Sequence, residues 1–289
     1  MVILNLPMPD PILGLKNVNV ARGERTILHN INLHLAAGEH LAILGPNGCG
    51  KSTLLKTLTC ELYPLAINPD GSRPTVRIFG RERWDLTHLR QRLGVVSADL
   101  PGKPILTTTG LDAILTGFFG SSTLWPNLIV TPAMRDRAEE VLLQVGASTL
   151  RDHPIGQMSA GQQRRIMIAR ALAGSRAAAA TQQGTASFVN PTNPTEMLLL
   201  DEPSNALDLA AQQDLRALLR RLAHTGVTLL LITHHTADII PEIGRVLLMA
   251  NGQIDADGAK RDLLTASRLS TLFGTSLEVT ERDGYFHAW

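Results

Sequence analysis

The sequence predicts an α/β fold: a mostly parallel sheet, entered through a strand-rich N-terminal segment and interrupted by a helical insert. Three observations carry the prediction. Short apolar strands at Met197–Leu200, Thr228–Thr233 and Arg245–Ala250 are spaced around a helical stretch at Ala210–Ala223. Such strands are the mark of a parallel sheet covered on both faces. Residues Ile12–Leu44 read as three strands. Residues Ile105–Pro154 read as mostly helical.

Each element follows from local pattern. Ile12–Val20 alternates loosely and runs into the turn Arg22-Gly23-Glu24. Thr26–Leu35 carries Ile27, Ile31, Leu33 and Leu35 near period two and stops at Ala37-Gly38. His40–Leu44 is a brief apolar run into a glycine-rich loop, and a helix is expected from Lys51 to about Thr59. In the insert, Ala138, Val141, Leu142 and Val145 recur at helical spacing within Ala133–Val145. Gly161–Leu172 is a further helix. Gly174–Glu196 is different. It has no charge from Ala177 to Thr195, two Asn-Pro pairs and little to bury beyond Phe188 and Val189. A flexible surface insertion is expected there.

Composition narrows the functional classes. The chain has 289 residues, enough for a large hydrophobic core without disulfides or a structural metal. Lys plus Arg total 27 and Asp plus Glu 26, a net charge of +1, so no strong overall positive charge favours nucleic acid, and no direct nucleic-acid contact is expected. Two cysteines, Cys49 and Cys60, make no disulfide framework and fit a reducing compartment. Met1–Asp10 starts apolar, holds prolines and lacks a basic n-region, unlike a signal peptide. The longest apolar runs fall far short of the ~20 residues that span a bilayer. Near the C-terminus, Phe273, Tyr285, Phe286 and Trp289 concentrate aromatic side chains in a chain that is only 4% aromatic. Packing onto the core is the expected reason.

The chemistry starts at Gly45-Pro46-Asn47-Gly48-Cys49-Gly50-Lys51-Ser52-Thr53, which matches G-x4-G-K-[ST]. A loop that wraps its N–H groups around an anion needs glycines for positive φ and close approach. Lys51 and Ser52 then open a helix whose positive end faces the phosphates. Lys51 supplies a point charge for β- and γ-phosphates, and the Ser52 hydroxyl suits a magnesium ion. Cys49 fills a free position of the motif. A helix start can lower a thiol pKa, but a tolerated small residue is the expected reading.

Met197–Leu200 ends in Asp201-Glu202-Pro203. The C-terminal ends of strands line the ligand crevice of doubly wound sheets. Asp201 is then placed to hold magnesium, and Glu202 to orient and polarise an attacking water. Ser159-Ala160-Gly161-Gln162 reads by itself as a capping box, with Ser159 at N-cap and Gln162 at N3.

Taken in order, these motifs resemble those of the ATP-binding-cassette (ABC) ATPases. Gly45–Thr53 resembles Walker A and Leu198–Glu202 Walker B. Met158–Gln162 resembles the signature L-S-G-G-Q, with Met158 for leucine and Ala160 for its first glycine. Ser204–Asp208 resembles the D-loop, and Ile232-Thr233-His234 the switch histidine. The resemblance spans about Ile12 to Asp257 and sets aside a plain P-loop kinase. It implies a P-loop NTPase core with a mostly parallel sheet at residues 10–97 and 155–258 and an N-terminal antiparallel β subdomain. It also implies an inserted helical subdomain at 98–154 and a C-terminal extension at 259–289. ATP and Mg2+ are the implied cofactors. The implied catalytic residues are Glu202, His234 and Lys51, and the implied metal ligands Ser52 and Asp201.

Two copies would close head to tail, Ser159, Ala160, Gly161 and Gln162 of one facing the ATP held by the other, with Asp208 in the D-loop. The implied partners are transmembrane permease subunits and a solute-binding protein, with the chain at the inner face of the membrane. Ile114–Phe119 and Leu269–Gly274 loosely resemble importers of iron complexes, vitamin B12 or molybdate. Two positions depart from the family. Arg22 stands where an aromatic ring usually stacks on adenine, and a guanidinium can also stack on a base. Ala98, followed by Asp99, stands where the Q-loop glutamine is expected. The second departure leaves an alternative open: a soluble, non-transport ABC ATPase acting on a cytosolic or nucleic-acid-associated partner.

Overall fold

The computed structural model describes residues 11–97, 100, 102–173 and 196–289. Ala98, Asp99 and the insertion expected at 174–196, apart from Glu196, lie outside the described residues. The chain opens with β1 (Leu13–Arg22) and β2 (Arg25–Leu35), joined by a tight turn that pairs Arg22 with Arg25. The strands expected at Ile12–Val20 and Thr26–Leu35 are both present and slightly longer. The next strand, β3 (Leu41–Leu44), leaves this sheet and enters a second one. The first sheet is completed instead by β4 (Thr75–Ile78), which pairs antiparallel with β1. No sequence signal marked β4, because the alternation of Thr-Val-Arg-Ile runs for only four residues.

The second sheet has six strands. Besides β3 it contains β5 (Leu93–Val96), β6 (Met197–Asp201), β7 (Thr228–Thr233), β8 (Arg245–Ala250) and β9 (Gln253–Ala259), in the order β5-β6-β7-β3-β8-β9. All neighbours are parallel except β8 and β9. Period-two side-chain alternation divides the core between the two faces. Leu41, Ile43, Leu199, Leu230 and Ile232 pack with the first sheet and with α1 (Lys51–Leu58). Ala42, Leu44, Leu198, Leu200, Leu229 and Leu231 pack with helices on the other side. Strands buried on both faces need apolar residues throughout, which is why β3, β6 and β7 stood out in the sequence.

The helical side holds α3 (Gly110–Thr116), α4 (Pro132–Gln144), α5 (Ala160–Ala173) and α6 (Leu209–Ala223); α2 (Leu86–Arg92) precedes β5. Thr109 caps α3, accepting from the Asp112 N–H at 3.2 Å. Thr131 caps α4, with Pro132 in the first turn, where its missing N–H costs nothing. The start of α3 is tied to the segment that leads to α5. Gly110 N–H donates to His153 at 3.0 Å, and Leu111 N–H to Arg151 at 2.8 Å.

After β9 come α7 (Lys260–Leu263), α8 (Ala266–Phe273) and a hairpin of β10 (Val279–Arg282) and β11 (Tyr285–Ala288). Phe286 is buried in the helical-side core, with Phe273 and Tyr285 packed against it. The tail therefore packs, as its aromatic content suggested, although Trp289 is 60% exposed.

Candidate nucleotide site

Strand order builds the site. In the sequence β6-β7-β3 across the sheet, three neighbouring strands end side by side, with Leu44 opposite Thr233 and Asp201 opposite Ile232. The glycine-rich loop follows β3, Glu202 follows β6 and His234 follows β7. Three motifs far apart in the chain thus meet at one edge, where ligands of such sheets bind.

The loop is shaped by two glycines in different ways. A Cβ on Gly45 would press on the Met249 carbonyl and come within 2.8 Å of Cys49 Sγ. Gly50 has φ +108° and serves as the N-cap of α1 with no side-chain cap. A side chain at Gly50 would be strained and would crowd Leu28. The first N–H groups of α1 are therefore left for an anion. Lys51 is buried and donates to the Gly45 carbonyl at 2.7 Å and the Pro46 carbonyl at 3.0 Å.

A cavity of about 330 Å³ lies in front of this loop. Asn47, Lys51, Ser52, Asp201 and Glu202 line it, and Arg22 stands at its rim on the β1–β2 turn. Gly48, Gly50 and Thr53 also line it, whereas Gly45, Pro46 and Cys49 shape the loop from behind. Ile27, read from the sequence only as a strand residue, forms an apolar wall. The thiol of Cys49 is buried in the core, and burial pushes its pKa up although Lys51 pulls the other way. Cys49 is thus not an activated thiol, and its side chain takes no part in the cavity.

Glu202 stands between the loop and the switch histidine. Its Oε1 is 3.9 Å from Lys51 Nζ, and its Oε2 is 2.8 Å from His234 Nδ1. The His234 contact lacks the alignment of a hydrogen bond, so proximity alone defines it. Glu202 has φ +46°, an uncommon backbone state for a residue with a side chain. Its N–H donates to Ile232 at 2.8 Å, which fixes the turn that aims the carboxylate into the cavity. Strain of this kind concentrates at functional sites. The His234 and His235 rings lie 3.8 Å apart. Nearby, Ser204 Oγ and Thr233 Oγ1 both donate to the buried carboxylate of Asp238. No motif pointed to Asp238, because its partners come from two other segments.

The remaining predicted residues do not line this cavity. Ser159 and Gln162 form a capping box at the start of α5. Gln162 Oε1 accepts from Ser159 N–H at 2.9 Å, and Ser159 Oγ accepts from Gln162 N–H at 3.3 Å. Ala160 and Gly161 form the first turn, and a Cβ on Gly161 would meet Ala211 Cβ at 2.9 Å. Asp208 caps α6 by accepting from Ala211 N–H at 2.8 Å. The starts of α5 and α6 are therefore neighbours, tied further by Arg165 to Asp214 at 2.6 Å.

Comparison with known proteins fits this geometry. The family model described as ABC transporter matches residues 28–178. The hemin import ATP-binding protein of Plesiomonas shigelloides is 31% identical over 92% of this chain and 95% of its own length. The chain belongs to the ABC transporter family. It is an ATPase subunit of the transporter type, with the P-loop fold of the ABC ATPases. The cobalt import ATP-binding protein of Rhodobacter capsulatus is 35% identical, covering 88% of this chain and 81% of that protein. A dimeric ATP-binding cassette solved in a post-hydrolysis state with ADP and Pi is 27% identical. It has a TM-score of 0.64 and covers 86% of this chain and 98% of that one. Among the described residues of the cassette no helix is long and apolar enough to cross a membrane.

Proposed function

We propose that this cassette hydrolyses ATP with Glu202 polarising the attacking water, while His234 holds Glu202 and meets the γ-phosphate. The observation that carries the reading is the placement of Glu202, 2.8 Å from His234 and 3.9 Å from Lys51 at the cavity wall. The N–H groups from Gly45 to Thr53 cradle the phosphates, and Lys51 supplies the point charge. Arg22 stacks on the base from the rim. The hydroxyl of Ser52 and the carboxylate of Asp201 line the same cavity and are hard oxygen donors, the set that suits Mg2+. When bound, that ion supplies charge neutralisation for the phosphate oxygens. Glu202 and His234 meanwhile keep the water side of the site ordered.

In the same reading two copies close head to tail. Ser159, Ala160, Gly161 and Gln162 of the second copy complete the γ-phosphate site, and Asp208 holds the neighbouring helix start. Residues 98–154 serve as a helical subdomain between the core segments 10–97 and 155–258, with 259–289 as an extension. The cassette works at the inner face of a membrane beneath permease subunits, fed by a solute-binding protein. A cavity of about 280 Å³ where the insert meets the core, lined in part by Glu61, Arg90 and Arg170, suits a permease contact. The relatives named for hemin and cobalt import support metal ions or metal chelates as the cargo class.

The test is the Glu202→Gln variant. It should bind ATP as the parent does, accumulate as an ATP-bound dimer and lose about 100-fold or more in turnover. Wild-type turnover would remove Glu202 from the role. Recovery of a polytopic membrane protein with this variant from detergent-treated membranes would support the permease assignment. Recovery with cytosolic proteins alone would reject it.

A further inference from the structure

We infer that Asp238 is a positioning residue for ATP hydrolysis: one buried carboxylate fixes the loop carrying Glu202 and the loop carrying His234. The inference rests on the roles proposed above for those two residues and extends them to a residue outside every motif.

Asp238 is only 3% exposed. A buried carboxylate is costly unless donors or cations compensate it. Its Oδ2 accepts from Ser204 Oγ at 2.5 Å and from Thr233 Oγ1 at 3.0 Å. Its Oδ1 faces Arg216 across 3.9 Å, and its N–H donates to the His235 carbonyl at 3.2 Å. The two hydroxyls have specific addresses. Ser204 lies two residues after Glu202, and Thr233 immediately precedes His234. One oxygen atom therefore ties together the chain segments that leave β6 and β7.

Proton count sharpens the point. A hydroxyl has one proton to donate. Thr233 Oγ1 also lies 3.5 Å from Glu202 Oε2, and it accepts from His235 N–H at 3.0 Å. The shorter path to Asp238 draws the Thr233 proton away from Glu202. The Glu202 carboxylate then stays turned to His234 and the cavity. Without an acceptor at Asp238, Thr233 would donate to Glu202 instead and Ser204 would lose its anchor. Glu202 is already in a strained backbone state, so its aim depends on such outside support. Arg216, on α6, closes the back of the network and shares a helix with the Asp208 cap.

The effect should appear in the chemical step and spare nucleotide binding, because no atom of the network belongs to the phosphate loop. Asp238→Ala and the near-isosteric Asp238→Asn should lower kcat about 10- to 100-fold for the alanine and less for the asparagine. KM for ATP, and ATP affinity measured directly, should stay within about threefold of the parent. The deciding measurement is the double variant with Glu202→Gln. If Asp238 acts through Glu202, the second change adds no further loss in turnover. Additive loss, or equal loss of ATP affinity and kcat, would reduce Asp238 to a structural residue and overturn the inference. Unchanged kcat in both Asp238 variants would do the same.

Should both Asp238 variants fail to fold, Thr233→Val and Ser204→Ala probe the same bonds from the other side. Each should then show a kcat loss that vanishes in the Glu202→Gln background, and its absence would overturn the inference. The Glu202→Gln single variant tells the two failures apart. Wild-type turnover there defeats the proposed role of Glu202, whereas a large loss there with additive Asp238 effects defeats only the positioning role.

Discussion

Two helix starts in this molecule, those of α1 and α5, differ in what they leave free. Helix α1 begins after Gly50, with φ +108° and no side-chain cap. Helix α5 begins after Ser159, and Ser159 and Gln162 satisfy each other's N–H groups reciprocally. The first has unspent donors, a buried lysine and two carboxylates facing a cavity. The second has its donors partly satisfied, carries Ser159 and Gln162 exposed and lines no cavity with the phosphate loop. A helix N-terminus attracts anions in proportion to the donors it leaves free. The α1 start is thus a complete anion cradle within one chain. The α5 start is a preformed surface whose partner must come from outside, as the proposed head-to-tail dimer provides.

The largest test of the contrast is Lys51→Ala. Lys51 holds the loop through the Gly45 and Pro46 carbonyls and is, among the described residues, the only ammonium in the lining of the cavity. Its loss should weaken ATP binding and reduce turnover about 100-fold or more, read by equilibrium binding and phosphate release. ATP affinity equal to the parent would show that the α1 donors suffice alone. Ser159→Ala addresses the other helix start and should behave differently. One chain should bind ATP as before, while ATP-dependent dimerisation and turnover fall. Loss of the cap should also cost about 1 kcal/mol in stability, measured by denaturant unfolding. An equal loss of ATP affinity in dilute, monomeric protein would erase the distinction between the two starts.

This contrast was legible in the sequence to an unusual degree, and for a physical reason. A phosphate loop needs fixed residue types at contiguous positions, so Gly45–Thr53 announces itself. Strands β3, β6 and β7 were legible because burial on both faces demands unbroken apolar runs. The capping box at Ser159 was legible because its two hydrogen bonds span only three residues. What escaped was either polar or non-local. Strand β9 alternates exposed and half-buried residues, with Asp255 and Asp257 among them, as an antiparallel edge strand can. Strand β10 reads Val-Thr-Glu-Arg and is mostly exposed. The Asp238 network joins Ser204, Thr233 and Asp238 only because the sheet order sets β6 beside β7. Cys49 shows the converse. Its place at a helix start left an activated thiol open, but a tolerated small residue was the expectation, and the burial that pushes its pKa up agrees with that.

The smallest expected effect separates the two helix starts by pH. His40 precedes β3, the strand that delivers the phosphate loop, and its Nδ1 accepts from the Leu229 N–H at 3.1 Å. Burial lowers its pKa below the ordinary value of 6.5, with a neighbouring backbone bond and Glu242 pulling the other way. The folded state therefore favours neutral His40, and a proton on Nδ1 would set one donor against another. Between the lowered pKa and 6.5 the unfolded chain binds more protons than the folded one. The contribution of His40 is therefore fully present above about pH 6.5 and declines as the pH falls through that value. The α5 start has no titrating group in its capping box, only Ser159 and Gln162. Thermal unfolding from pH 7.5 to 5.5 should show the parent and Ser159→Ala losing stability in parallel. His40→Gln, which keeps a neutral acceptor, should lose less over the same range. Parallel loss in all three would place the acid sensitivity elsewhere than beneath the phosphate loop.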